Sequence, residues 1–485
     1  MNTNSTAKTK NSIKSLLNEA FNSKLFPFLL AAVIIICYYT SLDIVAIYFV
    51  AILGILIFTL SDDLNPFITL LLFMNVIVSY KHSPSAMAGG SSYYYQPHIL
   101  WQVAILIALL LLSGVFRLIK TFREHKFKPT PVLYGLCALS VAFLLNGLFC
   151  SSYTFMNLAY GAVQAVIYLG IFAVFKDNVK VDKAAFEKIA LSFFALSILL
   201  IIELAVSYLT YDHVFWASGE IDRDTLSYGW GVYNTMGMLL VLCVPSVMYL
   251  AGIYKHGYLF TAHSVLIAAA CLLTTSKQSV LGLIVAYPVG LICLFIKSRK
   301  RLGSIIVLAV AAIIAVIIVG VFRDKFIVLM TQAFTSVFQN GEFYASNRAM
   351  IYNMGFNHFE SAPLFGVGFY SPGLHATMQN VSGLDAMPYF YHNTLLQMAA
   401  SCGIIGFAIY VVHRCQTVIS FLNNLTVERA IIGVTILALL VLSLLDVHMF
   451  DILPTMTYSS LLAVLVASEK GKPQKPVKPK FIIKM

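Results

Sequence analysis

An all-α, polytopic membrane protein with about fourteen transmembrane helices, twelve at the fewest, is what this sequence predicts, on three observations. Residues of the AVILMFWYC set fill 59% of the 485 positions, and charged residues only 11%, where a soluble protein carries roughly 25%. Mean hydropathy is +0.84. Fourteen apolar runs approach the length of about 20 residues that spans ~30 Å of hydrocarbon. This composition excludes a soluble enzyme, a nucleic-acid binder and a disordered scaffold.

The chain opens with a cytoplasmic segment, 1–24, that carries four lysines. Ile13, Leu16, Leu17, Phe21 and Leu25 recur there at helical spacing, the pattern of a helix lying on the inner leaflet. No small-residue cleavage site follows the first run, so the segment reads as a retained anchor. A transmembrane bundle of about eleven helices occupies 25–321, with runs near 25–41, 44–60, 65–80, 98–116, 131–150, 156–175, 189–209, 233–254, 259–275, 279–296 and 304–321. Runs 391–412, 430–447 and 453–468 form a C-terminal group, 391–468. The tail, 469–485, is rich in Pro and Lys and reads as disordered.

The net charge of +11 is an orientation signal. With both termini inside, 26 of the 32 basic residues fall in cytoplasmic segments and 6 outside, as the positive-inside rule requires. These bases also suit anionic membrane lipids. The eight cysteines lie in or beside apolar runs without a CxxC pair, and read as small apolar side chains.

Three outer loops are long: 81–97, 210–232 and above all 322–390. Long loops are uncommon and usually functional, so chemistry is expected at the outer face. Phe326, Met330, Phe334 and Val337 form an amphipathic stretch in the last loop. Arg348 follows as one of few outer bases, and a guanidinium can hold phosphate oxygens bidentately. Pro363-Leu364-Phe365-Gly366-Val367-Gly368 is a turn whose glycines allow close backbone approach. His392 is expected to open the helix after it, where the positive helix end favours a neutral, proton-accepting imidazole; a simple capping histidine is the competing reading.

The run from Arg348 through P-L-F-G-V-G-F to H-N-T-L-L and G-I-I-G resembles the signature loop of the O-antigen ligase and O-antigen or capsule polymerase superfamily. Thr274-Thr275-Ser276-Lys277 looks like a second family element at an outer helix end. Lys277 replaces the usual arginine and Ser401 an acid often found before the Gly-x-x-Gly. The resemblance implies a membrane glycosyltransferase using an undecaprenyl-diphosphate-linked oligosaccharide and a glycan acceptor. It implies catalytic roles for His392 and Arg348, and a diphosphate contact for Arg348 and Lys277, unless Lys277 merely snorkels. Asp446, His448 and Tyr352 are auxiliary candidates, with Asp451 beside them.

No metal and no cofactor is expected, and the partners are the lipid-linked donor, the acceptor, lipids and other polysaccharide-building proteins. The location expected is a bacterial cytoplasmic membrane. The reaction is either polymerisation of repeat units or ligation of a finished glycan. A flippase is the rival, disfavoured by one long outer loop and the lack of internal repeats. Glu203 reads as a buried acid bonded to a neighbouring helix, Tyr93-Tyr94-Tyr95 as an aromatic belt, and Asp212, Glu220, Asp222 and Asp224 as a solvated acidic loop.

Overall fold

The computed structural model describes residues 14–77, 97–124, 126–210, 233–298, 301–321, 323, 338–339, 342–343, 347–369 and 391–469. The helices are α1 (Lys14–Phe21), α2 (Phe26–Tyr39), α3 (Asp43–Leu60), α4 (Asn65–Met74), α5 (Pro97–Arg123), α6 (Pro131–Phe149), α7 (Phe155–Lys176) and α8 (Lys183–Thr210). They continue with α9 (Tyr233–Ile253), α10 (Gly257–Leu273), α11 (Lys277–Lys297), α12 (Arg301–Val321), α13 (Asn347–Ser361), α14 (Thr394–Leu422), α15 (Val427–Leu442) and α16 (Ile452–Ala467). One two-residue ladder pairs β1 (Phe338–Gln339) with β2 (Glu342–Phe343). Starts are signalled locally: Thr130, Thr154 and Thr426 each cap a first turn by accepting from the N–H three residues on.

Each apolar run holds a helix. Nine of the described helices are long and apolar enough to cross a membrane, ten if α1 and α2, bent by 80°, count together; α4, α10 and α16 are shorter. The chain is a multi-pass membrane protein.

Helix α9 is the hub. It is buried without interruption from Met236 to Gly252, as a helix apolar on every side must be, and packs on α8, α10, α11 and α15. Gly237 makes the closest of these approaches, since a Cβ there would lie 1.8 Å from Ser279 Oγ of α11.

The connections gather at two ends. At one, Lys14 pairs with Asp62 at 2.7 Å, Lys297 with Glu428 at 2.7 Å, and Leu64 N donates to the Asn178 carbonyl at 3.0 Å. At the other, Ser151 N donates to the Gly366 carbonyl at 3.1 Å and Thr394 N to that of Ser443 at 2.9 Å. Basic side chains crowd the first end; the sequence motifs lie at the second.

Two readings change here. Arg414, two residues beyond the apolar run 391–412 and so among the 26 bases assigned to cytoplasmic segments, lies inside α14, which runs on to Leu422. Its guanidinium sits 4.2 Å from the Tyr410 ring and 4.5 Å from that of Tyr458, and donates to Tyr168 Oη at 3.0 Å. Three aromatic partners replace water around the cation and let the helix continue. Helix α14 is also not continuous: Gly403 has φ 63° and ψ −171°, so residues 394–402 form a short half-helix. Glu203 accepts from Tyr39 Oη of α2 at 3.4 Å, the cross-helix bond its burial requires. The amphipathic stretch at Phe326–Val337, the triple tyrosine 93–95 and the acidic loop 212–224 lie outside the described residues.

Candidate functional site

The break in α14 builds the site. Residues 363–368 run against it: Val367 N donates to the Ala400 carbonyl at 3.0 Å, Gly368 N to that of Ser401 at 3.0 Å, and Ile404 N to that of Pro363 at 2.8 Å. Asn146 Nδ2 of α6 adds bonds to the carbonyls of Phe365 (2.7 Å) and Ser401. The carbonyls orphaned by the break are thereby satisfied, as buried backbone demands. Phe369 then plugs into the bundle against Tyr160, Phe450 and Phe143. The two-glycine turn is thus a staple between the long loop and the bundle.

Above the staple, α13 packs on the half-helix. Tyr391 Oη meets His358 Nδ1 at 2.6 Å, and Tyr391 N donates to Gln397 Oε1 at 3.0 Å. Gln397 Nε2 donates in turn to Ser401 Oγ at 2.8 Å, so the serine standing in place of an acid caps a neutral amide network. Burial pushes the His358 imidazole below its usual range. Tyr352 Oη donates to the His392 carbonyl at 3.4 Å. Arg348 stands one turn before Tyr352 in α13; its side chain lies outside the described residues.

His392 does not open the helix. Asn393 is the N-cap, its Oδ1 accepting from Leu395 N and Leu396 N, because an amide oxygen caps far better than imidazole. His392 precedes it with φ 50°, a left-handed backbone that in non-glycine residues concentrates at functional sites. Its Nδ1 lies 3.1 Å from Asp446 Oδ1, with side-chain exposures of 41% and 14%. Burial alone would raise the Asp446 carboxyl. The hydrogen bond from His392 and the fields of His448 and His392 outweigh it and bring the group to about 2. An ionised Asp446 also accepts from Val447 N at 2.9 Å, and because a carboxylate only accepts, its contact with His392 calls for a proton on Nδ1.

Asp446 lies in the turn between α15 and α16, and its other oxygen leads to the second motif. Asn234 Nδ2, at the start of α9, donates to Asp446 Oδ2 at 3.5 Å. Ser276 Oγ donates to Asn234 Oδ1 at 2.8 Å, and Gln278 Nε2 to the Asn234 carbonyl at 2.9 Å. Gln278 Oε1 meets His448 Nε2 at 3.3 Å, and His448 Nδ1 meets Asp451 Oδ2 at 3.4 Å. Lys277 is exposed between Ser276 and Gln278, as the first residue of α11. A cation at the positive end of a helix dipole is unfavourable by about 0.3–1 kcal/mol, and an anion beside it removes that penalty.

The structure thus joins His392, Tyr352, Asp446, His448, Asp451 and the turn carrying Lys277. Asn234, Gln278 and Gln397 are connecting residues that the motif reading missed. The sequence marks Gln278 only as a polar residue directly after Lys277 and gives no sign of its partners. Among the described residues no cluster of three or more His, Cys, Asp or Glu side chains has the makings of a metal site.

No curated protein matches the chain. A family model described as O-antigen ligase matches residues 262–411, a stretch that takes in most of α10, the Lys277 turn, α13, the glycine staple, His392 and the break in α14. Over that stretch the chain is similar to the O-antigen ligase family.

Proposed function

We propose that this protein polymerises O-antigen or capsule-type repeat units at the outer leaflet of the bacterial cytoplasmic membrane, taking glycan from undecaprenyl diphosphate. The observation that carries the reading is the His392–Asp446 pair at 3.1 Å, linked through Asn234 and Ser276 to the Lys277 turn. His392 Nε2 takes the proton of the acceptor hydroxyl as its oxygen bonds to the anomeric carbon. The bond from that carbon to the diphosphate oxygen breaks, and the electron pair leaves with the diphosphate. Direct attack inverts the anomeric centre. Lys277 and Arg348 neutralise the charge developing on the leaving group, which is worth most in a site shielded from water. The donor is already activated, so no nucleotide enters.

A second reading, ligation of a finished glycan to lipid A core, protein or wall polymer, draws on the description of the matching family. Deleting the gene separates them. Accumulation of single lipid-linked repeat units supports polymerisation, and accumulation of full-length lipid-linked chains supports ligation. If no lipid-linked saccharide accumulates, both fail.

The charge bias supports cytoplasmic termini and an α13 that lies outside. A thiol introduced at Glu360, exposed on α13, should therefore react with a membrane-impermeant maleimide added to intact spheroplasts. Labelling only after permeabilisation would reverse the orientation.

Lys277→Arg is expected to keep most turnover, because the charge stays and a bidentate fork is gained. Lys277→Ala should raise KM for the lipid-linked donor about tenfold, the loss of one charge-assisted contact. An unchanged KM in the alanine variant would leave Lys277 as a membrane-interface lysine.

A further inference from the structure

We propose that His448 is a buried imidazolium that holds Asp446 ionised behind His392. The charge follows from the local hydrogen bonding, while its role as a positioning residue rests on the glycosyl-transfer reading.

The His448 residue is 2% exposed, and each ring nitrogen faces an oxygen. Nδ1 is 3.4 Å from Asp451 Oδ2, and Nε2 is 3.3 Å from Gln278 Oε1. The orientation of the Gln278 amide is fixed by its other contact. It lies 2.9 Å from the backbone carbonyl of Asn234, which only accepts, so the NH₂ must face Asn234 and the oxygen must face His448. A neutral imidazole offers one donor and one acceptor. In this setting it would leave a nitrogen lone pair facing an oxygen lone pair, at Asp451 or at Gln278. The doubly protonated ring satisfies both contacts.

The groups facing the ring agree. Its own turn presents two carboxylates, Asp446 and Asp451, while α11 presents the neutral Gln278 amide. Burial pushes the His448 imidazole down, but the Asp451 hydrogen bond and the two carboxylate fields outweigh it, and the group rises above its usual range. His392 stands against the Oδ1 of Asp446 at 3.1 Å. One cation therefore stands behind the carboxylate that orients the proposed base. Without it, Asp446 would keep the His392, Val447 and Asn234 contacts but lose a facing cation, and its burial would weigh more towards taking up a proton.

The test has an arm that needs no turnover. The full-length protein, labelled with ¹⁵N-histidine in lipid nanodiscs, is compared with His448→Gln to assign the ring. Both His448 nitrogens should give imidazolium signals at pH 7, with a midpoint above the ordinary ~6.5. Asp451→Asn should lower that midpoint, because the direct carboxylate partner is gone. A neutral tautomer at pH 7 would overturn the charge. In the purified transfer assay, His448→Gln should lower kcat about tenfold with little change in donor KM. This is less than the roughly 10⁴-fold cost known for losing the carboxylate of a His–Asp pair. The acid limb of its pH–rate profile should move, which a packing defect alone would not cause. A cationic ring together with an unaltered profile and full kcat in His448→Gln would overturn the positioning role. A wild-type protein that transfers no glycan would overturn the functional reading while the spectrum still reports the charge.

Discussion

Replacing His392 should lower glycosyl transfer by about 10² to 10⁴-fold while the protein remains at normal abundance in the membrane. That range is what a positioned general base contributes. A helix-capping side chain would instead cost about 1 kcal/mol of stability and little turnover, and the cap here belongs to Asn393. His392→Ala removes the ring, but alanine also fits poorly at φ 50°. His392→Asn is the better control, because asparagine tolerates left-handed backbone. Both variants should still bind the lipid-linked donor through the cationic residues. Asp446→Asn should cost less than His392→Asn, since it leaves the imidazole present and misorients it. The assay is purified protein with lipid-linked repeat unit, read as glycan length on a gel. More than about a tenth of wild-type turnover in His392→Asn would remove the base and leave only diphosphate binding by cations.

What the sequence disclosed follows the range of each interaction. Hydropathy over some 20 residues located a helix in every apolar run, because burial in lipid depends on the run itself. His392 and Lys277 were legible because their side chains are unusual for their surroundings and sit in spaced motifs. Asn234 and Gln278 were not. Neutral amides at the ends of apolar helices resemble interfacial packing, and their role emerges only when α9, α11 and the 446–451 turn meet. Arg414 was misplaced because a cation normally ends an apolar run. Three tyrosines from α7, α14 and α16 supply its environment, and only α14 is local in sequence. Gly403 and Gly406 look alike in the sequence, yet only Gly403 leaves the helix, since residues 363–368 insert there and not one turn later.

That insertion sets the second large expected effect. Gly366 has φ +76°, and a Cβ on it would lie 2.3 Å from the Ser401 carbonyl; Gly403 has φ +63°, with its Cβ 2.3 Å from the Leu364 carbonyl. In both cases the obstacle is backbone held by hydrogen bonds, which cannot rotate aside as a side chain can. Each alanine substitution combines left-handed strain, of the order of 1–3 kcal/mol, with a clash that must part the staple from the half-helix. Native proteins have only about 5–15 kcal/mol in hand, so Gly366→Ala and Gly403→Ala should each lower the detergent-solubilised melting temperature by several degrees. Gly114→Ala is the internal control: nothing lies within 4 Å of a Cβ placed there, it stands inside α5, and it should lose less. Because the staple carries the His392 segment and α13, the first two variants should also lose turnover below their melting temperature, from a site that is present but loosely held. If both melt like wild type, the 363–368 segment does not lie in the break of α14, and the placement of His392 beside Asp446 loses its support.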